Sequence, residues 1–256
     1  MTDGTTRDDC VIETDDGVLR ITWNRPETLN SVNGPMLDAA AEAIETATED
    51  VRLVVITGTG RAFCAGADLG NADRGTETLD GANRLVRAMT RSPIPVVSAV
   101  NGIAAGVGCS LAIAADITLA KSSGYFLLAF VNIGLMPDGG ATELVAASIG
   151  RARANRMAML GERLSADIAA EIGLIYKSLD DEAYDAELAM LTQKLGRGPS
   201  KALGAMKGAI NATTLTHLDE ALDRERADQI ALFSTADAFE GGMAFLEKRP
   251  AVFTGK

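Results

Sequence analysis

Two glycine-rich turns in this sequence have a backbone pattern that could take part in catalysis by binding an anionic oxygen. The first lies in Ile56–Phe63, read as Ile-Thr-Gly-Thr-Gly-Arg-Ala-Phe, and the second contains Gly106-Val-Gly108. Each follows an apolar run typical of a buried strand, and such a turn can present backbone N–H groups to an anionic oxygen. Two donors aimed at one point would form an oxyanion hole, although glycines in such turns also simply permit close strand-to-helix packing.

Other motifs built on glycine-rich turns do not fit. A dinucleotide fingerprint fails because its third glycine position holds Phe63 in the first turn and Leu111 in the second. No Gly-Lys-Ser/Thr phosphate loop and no Gly-x-Ser-x-Gly elbow occurs, and the single histidine, His217, lies in a helical region where a packed or surface position explains it. The sequence therefore disfavours NAD, ATP and a Ser-His-Asp hydrolase.

The elements that position these turns alternate between strand and helix. A hairpin is predicted from strands at 11–14 and 18–23 around Asp15-Asp16-Gly17, because alternating apolar residues flank a turn signal. The next predicted elements are a helix at 35–48, a strand at 52–57, a helix at 80–91, a strand at 95–100 and a helix at 111–115. This order predicts an α/β architecture of stacked units.

The second half of the chain is predicted to be mainly helical. The predicted helices are 141–149, 152–160, 166–171, 182–195, 200–212 and 215–233, with one strand at 174–179. Gly196-Arg-Gly-Pro199 marks a boundary where mixed structure gives way to helices. We therefore expect a core over residues 1–195 and a C-terminal helical segment over residues 196–256.

Composition limits the partners and the compartment. The 256 residues include 35 acidic and 24 basic side chains, a net charge of -11 that disfavours nucleic acid and anionic membrane surfaces. Three cysteines at irregular spacing disfavour a disulfide framework or a zinc site. The polar, acidic N-terminal residues do not resemble an export signal, and together these features predict a cytoplasmic protein. The uncharged stretch 92–115 is interrupted by prolines and glycines, which favours a buried strand, turn and helix over a membrane span.

Several segments together resemble the enoyl-CoA hydratase/isomerase, or crotonase, superfamily. Arg61–Leu69 resembles its first signature and Ala99–Cys109 its second, and the likeness continues through Asn132–Gly140, Gly161–Ala166 and Gly173-Leu174. The resemblance implies a spiral of repeated β-β-α units, completed by a C-terminal helical segment that joins subunits. It also implies trimers, often paired into hexamers, and an acyl-CoA thioester as substrate, so that coenzyme A is part of the substrate and no separate cofactor is needed.

The resemblance assigns site residues by position. The backbone N–H groups of Ala67 and Val107 would form the oxyanion hole around the thioester carbonyl oxygen, and the Val107 side chain would narrow the acyl pocket. The residues implied to line the substrate and coenzyme A pocket are Arg25, Ala65, Asp68, Leu69 and Phe130. Those implied in the tail that meets the adenine and phosphates, which could come from a neighbouring subunit, are Lys248, Arg249, Phe253 and Lys256. Asp68 could instead bond local backbone, and the tail cations could simply be solvated.

The carboxylates limit which family reaction is expected. Family hydratases resemble one another in using two glutamates, whereas the corresponding positions here hold Ser110 and Phe130. Neither side chain can act as a carboxylate base, and Phe130 would expel the water that hydration consumes. The resemblance therefore favours another reaction over efficient hydration.

A single acid, Asp138, stands where family double-bond isomerases and the ring-epoxide isomerase of phenylacetyl-CoA breakdown carry their proton shuttle. Isomerisation needs only one such group, and apolar neighbours would raise its pKa toward neutrality. Asp138 could instead cap the following helix, which would leave Glu143 as the reserve acid. Weak hydration, dehalogenation, thioester hydrolysis and a non-catalytic acyl-CoA-binding role also stay open. A mobile flap near the site is expected at residues 70–78.

Overall fold

The computed structural model describes residues 9–69 and 76–256, and its strands form a six-stranded and a four-stranded sheet. The strands are β1 (Cys10–Asp15), β2 (Val18–Trp23), β3 (Leu53–Gly58), β4 (Ala62–Cys64), β5 (Val96–Val100), β6 (Ile103–Ala105), β7 (Ile117–Lys121), β8 (Tyr125–Leu127), β9 (Leu164–Ser165) and β10 (Lys177–Leu179). The α-helices are α1 (Gly34–Glu45), α2 (Glu77–Arg91), α3 (Val107–Ile113), α4 (Ala141–Ile149), α5 (Arg151–Leu160), α6 (Ala166–Glu171), α7 (Asp181–Gly196), α8 (Ser200–Thr214), α9 (Leu218–Leu232) and α10 (Ala236–Leu246).

The six-stranded sheet has the order β1-β2-β3-β5-β7-β10. Strands β1 and β2 form the predicted antiparallel hairpin, and the remaining neighbours pair in parallel. The hairpin turns at Asp16 and Gly17, whose φ angles of 45° and 75° fit a turn with two left-handed residues. The predicted α/β class and the hairpin are confirmed.

Strand β3 shows why this sheet is buried on both faces. Val54 and Ile56 belong to the larger core beneath α1 and α2, while Leu53 and Val55 belong to a second core that includes Tyr184 of α7. Because side chains alternate across a strand, a continuous apolar run is what a strand between two helical layers requires. The strand is therefore fixed from both sides and ends rigidly at the first glycine-rich turn.

The four-stranded sheet, in the order β4-β6-β8-β9, carries the two turns of interest. Its strands have two or three residues each, too few to produce a recognisable alternation in the sequence. Helix α3 begins at Val107, four positions before the start that the sequence predicted at Leu111. That expectation was wrong because the glycines at 106 and 108 obscured the first turn of the helix.

The C-terminal helices pack onto the core of the same chain. The predicted helices at 200–212 and 215–233 are present as α8 and α9, and α10 is an additional helix that the sequence did not predict. Arg226 of α9 pairs with Asp80 of α2 at 2.6 Å, and Arg87 of α2 pairs with Asp219 of α9 at 2.9 Å. The break between α7 and α8 coincides with the predicted boundary, and a separate unit over residues 196–256 stays a prediction.

The uncharged stretch 92–115 contains strands β5 and β6 and helix α3. A buried strand and a buried helix were predicted here and are found as β5 and α3, whereas the short strand β6 between them was not predicted. Among the described residues no helix combines the length and the apolar character needed to cross a bilayer.

Candidate active site

The segment Gly66-Ala67, which follows β4, lies directly against the second glycine-rich turn. A Cβ atom built on Gly66 would stand 3.2 Å from the carbonyl oxygen of Ala105, and one built on Gly106 would stand 3.5 Å from the Cα of Gly66. Both glycines have positive φ angles, 110° and 54°, which side chains rarely adopt. Ala67 and Val107 follow these glycines, so the structure brings the two predicted donors to one place.

The backbone around Ala67 directs its N–H away from the neighbouring chain. Ala67 forms an isolated parallel bridge with Val32, in which Val32 N–H donates to Gly66 O and Asp68 N–H donates to Val32 O, both at 2.9 Å. In such a bridge the flanking residues make the bonds, and the central N–H points to the opposite side. Within residues 9–69 and 76–256, neither the Ala67 N–H nor the Val107 N–H donates a hydrogen bond. Both therefore remain candidates for an oxyanion hole, which stays a prediction.

The backbone of Asp138 is held against the start of α3. Ser110 Oγ donates a hydrogen bond of 2.7 Å to the Asp138 carbonyl oxygen. A Cβ built on Gly139 would lie 3.5 Å from Val107 Cγ2 and 3.1 Å from Ser110 Cβ, and the φ of Gly139 is 64°. A side chain at position 139 would thus be strained and crowded. The structure places the predicted acid beside the second predicted donor.

The carboxyl group of Asp138 is buried and only half satisfied. The residue is 8% exposed, and its Oδ2 accepts a 2.8 Å hydrogen bond from Nε2 of Gln229. Its Oδ1 is buried with no hydrogen-bond partner among the described residues. Burial raises the pKa of Asp138 to about 7, the Gln229 hydrogen bond opposes this, and the nearby Glu225 adds to it. A buried oxygen without a partner costs about 1–3 kcal/mol, which calls for a functional explanation.

Helix α4 is capped by Glu225, not by Asp138. Oε2 of Glu225 accepts the Gly140 N–H at 2.7 Å, and Oε1 accepts the Thr142 N–H at 2.8 Å. The interpretation that Asp138 caps this helix is therefore wrong. The sequence could not show this, because Glu225 lies 85 positions beyond Gly140. With the cap supplied from elsewhere, the Asp138 side chain is not required for helix initiation.

Glu225 and Gln229 were missed by the sequence analysis, although one signal could have found them. They lie four positions apart on α9 and continue the buried face formed by Leu218, Ala221 and Leu222. Each is only 1% exposed. Two long polar side chains within an apolar stripe indicate buried partners, because polar groups are rarely buried without hydrogen bonds.

The other residues at or near the positions of the family's acids, Phe130, Ser110 and Glu143, lie in structural surroundings that suggest no role as an acid or base. Phe130 is 7% exposed in the short 3-10 turn Ala129–Ile133 and belongs to the main core. Ser110 is fully buried and bonds the Asp138 backbone, so it packs and positions rather than acting as an acid or base. Glu143, the reserve acid, is half-buried in the first turn of α4.

Arg25 and Asp68, both predicted in the coenzyme A pocket, pair with each other. Arg25 Nη1 lies 2.8 Å from Asp68 Oδ2 and donates to the carbonyl oxygen of Ser31 at 3.0 Å. Ala65 donates its N–H to Leu29 O at 3.0 Å, and Leu69 is half-buried. These contacts tie the Ala67 turn to the loop that follows β2. A direct contact of these residues with coenzyme A stays a prediction.

The predicted tail residues Lys248, Phe253 and Lys256 are exposed. The tail is fixed at the start of α10, because the Asp237 carboxylate accepts the N–H groups of Thr254 at 2.6 Å and Gly255 at 2.8 Å. Helix α10 packs in turn against the 129–133 segment. The tail is thereby linked to the element that carries Phe130, and its role toward coenzyme A stays a prediction.

The predicted flap at 70–78 falls mainly outside the described residues, which omit 70–75. Its last two residues, Glu77 and Thr78, belong to α2.

A second buried charged group lies away from these residues. Lys207 Nζ lies 2.9 Å from Asp116 Oδ2 and donates to the carbonyl oxygens of Met89 at 2.6 Å and Ile94 at 2.9 Å. Both side chains line a cavity of about 340 Å³ beneath α8. All three ammonium protons have hydrogen-bond acceptors, so we assign Lys207 a structural role.

A family model described as enoyl-CoA hydratase/isomerase matches residues 13–256 of this chain. The chain is 42% identical over 251 residues to the 1,2-epoxyphenylacetyl-CoA isomerase of Escherichia coli (strain K12), which covers 94% of this chain and 96% of that protein. It is 41% identical over 249 residues to a probable enoyl-CoA hydratase of Rhodobacter capsulatus, with 95% and 97% covered. A crystal structure of an enoyl-CoA hydratase from Mycobacterium avium subsp. paratuberculosis K-10 superimposes with a TM-score of 0.92 at 44% identity, covering 96% of this chain and 98% of that one.

The chain therefore belongs to the enoyl-CoA hydratase/isomerase family and has the crotonase fold. The resemblance found in the sequence is confirmed, and so is the assignment to an enzyme family of acyl-CoA metabolism. Isomerase and hydratase names occur among its relatives at nearly equal identity, 42% and 41%.

Proposed function

We propose that this enzyme is an acyl-CoA isomerase that shifts the double bond of an enoyl-CoA thioester through an enolate. The observation that carries this proposal is the Asp138 carboxyl group, which is buried, has Oδ1 unpartnered among the described residues, and precedes Gly139, the residue that packs against Val107. A carboxyl group with a pKa near 7 can both accept and return a proton at neutral pH.

The reaction requires one proton shuttle and one anion site. The thioester carbonyl oxygen accepts the N–H groups of Ala67 and Val107, and Asp138 removes a proton from C2 of a 3-enoyl thioester. The resulting dienolate carries its charge on that carbonyl oxygen. The same carboxyl group then returns the proton at C4, which leaves a 2-enoyl thioester and restores the carboxylate. No group beyond the thioester substrate is consumed, so we propose that no separate cofactor takes part.

The residues at the positions of the family's two glutamates favour isomerisation over hydration. Hydration adds water across the double bond, and family hydratases are expected to use two carboxylates for this. Here the corresponding positions hold a buried Ser110, bonded to backbone, and a buried Phe130. An apolar ring in that place disfavours a bound water molecule. The 42% identity to a 1,2-epoxyphenylacetyl-CoA isomerase supports an epoxide-bearing acyl-CoA as a second candidate substrate.

We propose separate roles for the two groups of predicted coenzyme A residues. Arg25 and Asp68 act by fixing the Ala67 turn, since their charges already face each other at 2.8 Å. Lys248 and Lys256 are exposed, and we propose that they meet the phosphates while Phe253 packs on the adenine. Measured affinity for coenzyme A should fall severalfold in Lys256→Gln and in Phe253→Ala, with Lys201→Gln on α8 as the exposed control.

We also propose a cytoplasmic homotrimer or hexamer. Helix α10 exposes large apolar side chains, with Phe239 and Phe245 each 61% exposed and Leu246 54% exposed. Such a patch is typical of a surface covered by another subunit. Light scattering should therefore give the mass of three or six chains, and Phe239→Glu should lower it.

The experiment that tests the reaction is a mass- and absorbance-resolved assay with a 3-enoyl-CoA and, separately, a 2-enoyl-CoA in water. We expect conversion of the 3-enoyl to the 2-enoyl thioester with little hydration. Asp138→Asn should lower kcat by at least about 100-fold, because it removes the proton shuttle while keeping the side-chain shape. Glu143→Gln is the matched control and should retain activity. Dominant hydration, or an unchanged rate in Asp138→Asn, would refute the proposal.

A further inference from the structure

Two side chains of the C-terminal helix α9 hold the loop that carries Asp138. We propose that Gln229 and Glu225 are positioning residues: Gln229 anchors Oδ2 of Asp138 so that Oδ1 is the oxygen that moves the proton, and Glu225 places a negative charge beside it while capping α4. This inference rests on the proposed function, because it assigns a working oxygen to the acid that the function requires.

The orientation of the Gln229 amide is fixed by backbone. The Met136 N–H donates to Gln229 Oε1 at 3.3 Å, and a backbone N–H can only donate. Nε2 must therefore face the other way, where it donates to Met136 O at 2.9 Å and to Asp138 Oδ2 at 2.8 Å. The amide cannot flip without losing all three hydrogen bonds.

This orientation distinguishes the two carboxyl oxygens. Oδ2 faces an N–H donor, so a proton placed on Oδ2 would meet another proton and lose the hydrogen bond. Oδ1 has no partner among the described residues, so it can accept and release a proton without disturbing Gln229. The proton therefore resides on Oδ1 in the protonated state, and Oδ1 is the oxygen left to exchange that proton with the substrate.

Burial raises the pKa of Glu225, and three donors around it oppose this rise by stabilising its carboxylate form. Gly140 N–H, Thr142 N–H and the Thr142 hydroxyl all bond its two oxygens. Among the described residues it is the charged group whose field acts on Asp138, and Arg224 on the same helix partly offsets the charge of Glu225. A nearby negative charge opposes ionisation of a second carboxyl group.

The two residues therefore act on Asp138 in opposite directions. Gln229→Met removes a donor that stabilises the carboxylate, so the pKa of Asp138 should rise. Glu225→Gln removes a like charge, so the pKa of Asp138 should fall. Loss of packing alone would not produce shifts of opposite sign from two residues on one helix face.

The test follows the titration of Asp138 by carbon-13 NMR of protein labelled at aspartate carboxyl carbons, with Asp138→Asn used to assign the signal. We expect the midpoint to move up in Gln229→Met and down in Glu225→Gln, each by about half a unit or more. Asp228→Asn, an exposed charge change on the same helix, should leave it unmoved. The acid limb of kcat/KM should move with each midpoint.

A second measurement needs no variant at position 225 or 229. The side-chain amide resonances of Gln229 in the unaltered protein should titrate with the Asp138 midpoint and should stop doing so in Asp138→Asn. Shifts of the same sign in both variants, or Gln229 resonances that ignore pH, would overturn the inference. Opposite shifts without isomerisation of any enoyl-CoA would instead refute the proposed function and leave the positioning roles intact.

Discussion

The guanidinium of Arg25 lies 2.8 Å from the carboxylate of Asp68, the residue that directly follows Ala67. Both side chains are largely buried, at 12% and 13% exposure, so water screens this pair only weakly. The same guanidinium holds the Ser31 carbonyl oxygen at 3.0 Å. One side chain thereby connects the loop after β2 to the turn whose N–H is a predicted oxyanion donor.

Arg25→Met should loosen this turn and lower kcat/KM by about 10- to 100-fold. Full loss of one oxyanion donor costs about 100- to 1000-fold, and a displaced donor should cost less. Steady-state kinetics with a 3-enoyl-CoA measure this effect. Arg84→Met is the control, because the ion pairs of Arg84 with Glu45 and Asp38 are exposed. An unchanged kcat with a raised KM alone would assign Arg25 to substrate binding instead.

The rate of the unaltered enzyme should rise with pH through neutrality. In the proposed reaction the carboxylate of Asp138 removes the proton from C2, and burial raises the pKa of that group to about 7. The value of kcat/KM should therefore be low at pH 5, climb through pH 7 and level off above pH 8. A profile of kcat/KM against pH checks this, and a flat profile between pH 5 and 8 would contradict it.

Asp138→Asn should stabilise the fold at high pH. The folded-state pKa of about 7 exceeds the ordinary value of 3.8, so the native state holds its proton more tightly than the unfolded chain does. Stability is therefore lost as the pH rises from about 4 to 7. Asparagine carries no charge, and one pKa unit is worth about 1.4 kcal/mol, so the variant should gain about 4 kcal/mol of unfolding free energy at pH 8, a gap that closes toward pH 4. Denaturant unfolding at both pH values measures this difference.

Gly108→Ala should damage the second turn. A Cβ at this position would lie 2.4 Å from the Cys64 carbonyl oxygen and 2.7 Å from its Sγ, so α3 would have to move away from β4. We expect a loss of about 2 kcal/mol or more in unfolding free energy, together with reduced activity. Gly208→Ala on α8 is the matched control. Its Cβ would meet nothing within 4 Å, and alanine favours a helix.

The sequence sufficed where the determining contacts are local. The Asp16-Gly17 hairpin, the apolar strand over 53–58 and the two glycine-rich turns each depend on neighbouring residues, and all are found in the structure. The short strands of the second sheet were not predicted, because three residues such as those of β4 carry no readable period. Gly66 and Gly106, which allow the Ala67 segment to meet the second turn, were visible in the sequence, whereas their mutual contact was not.

The surroundings of Asp138 were beyond sequence reasoning. Its position was found through the family resemblance, and its raised pKa was expected from apolar neighbours. The structure assigns the hydrogen bond to Gln229 and the helix cap to Glu225, both far along the chain. Local sequence rules favoured Asp138 as a helix cap as much as a proton shuttle. A cap supplied by a distant helix cannot be recognised from the residues near position 138.

The hydrogen bonds that α9 makes to the Asp138 loop have a consequence for how this protein can be cut or recombined. A chain ended after residue 195 would retain Ala67, Val107 and Asp138, yet it would lack both Glu225 and Gln229. The acid would then lie open to water, with the ordinary acidity of an aspartate in solution. The raised pKa of Asp138 is thus a property of the complete polypeptide, and grafting Ala67, Val107 and Asp138 onto another scaffold would transfer the residues without this environment.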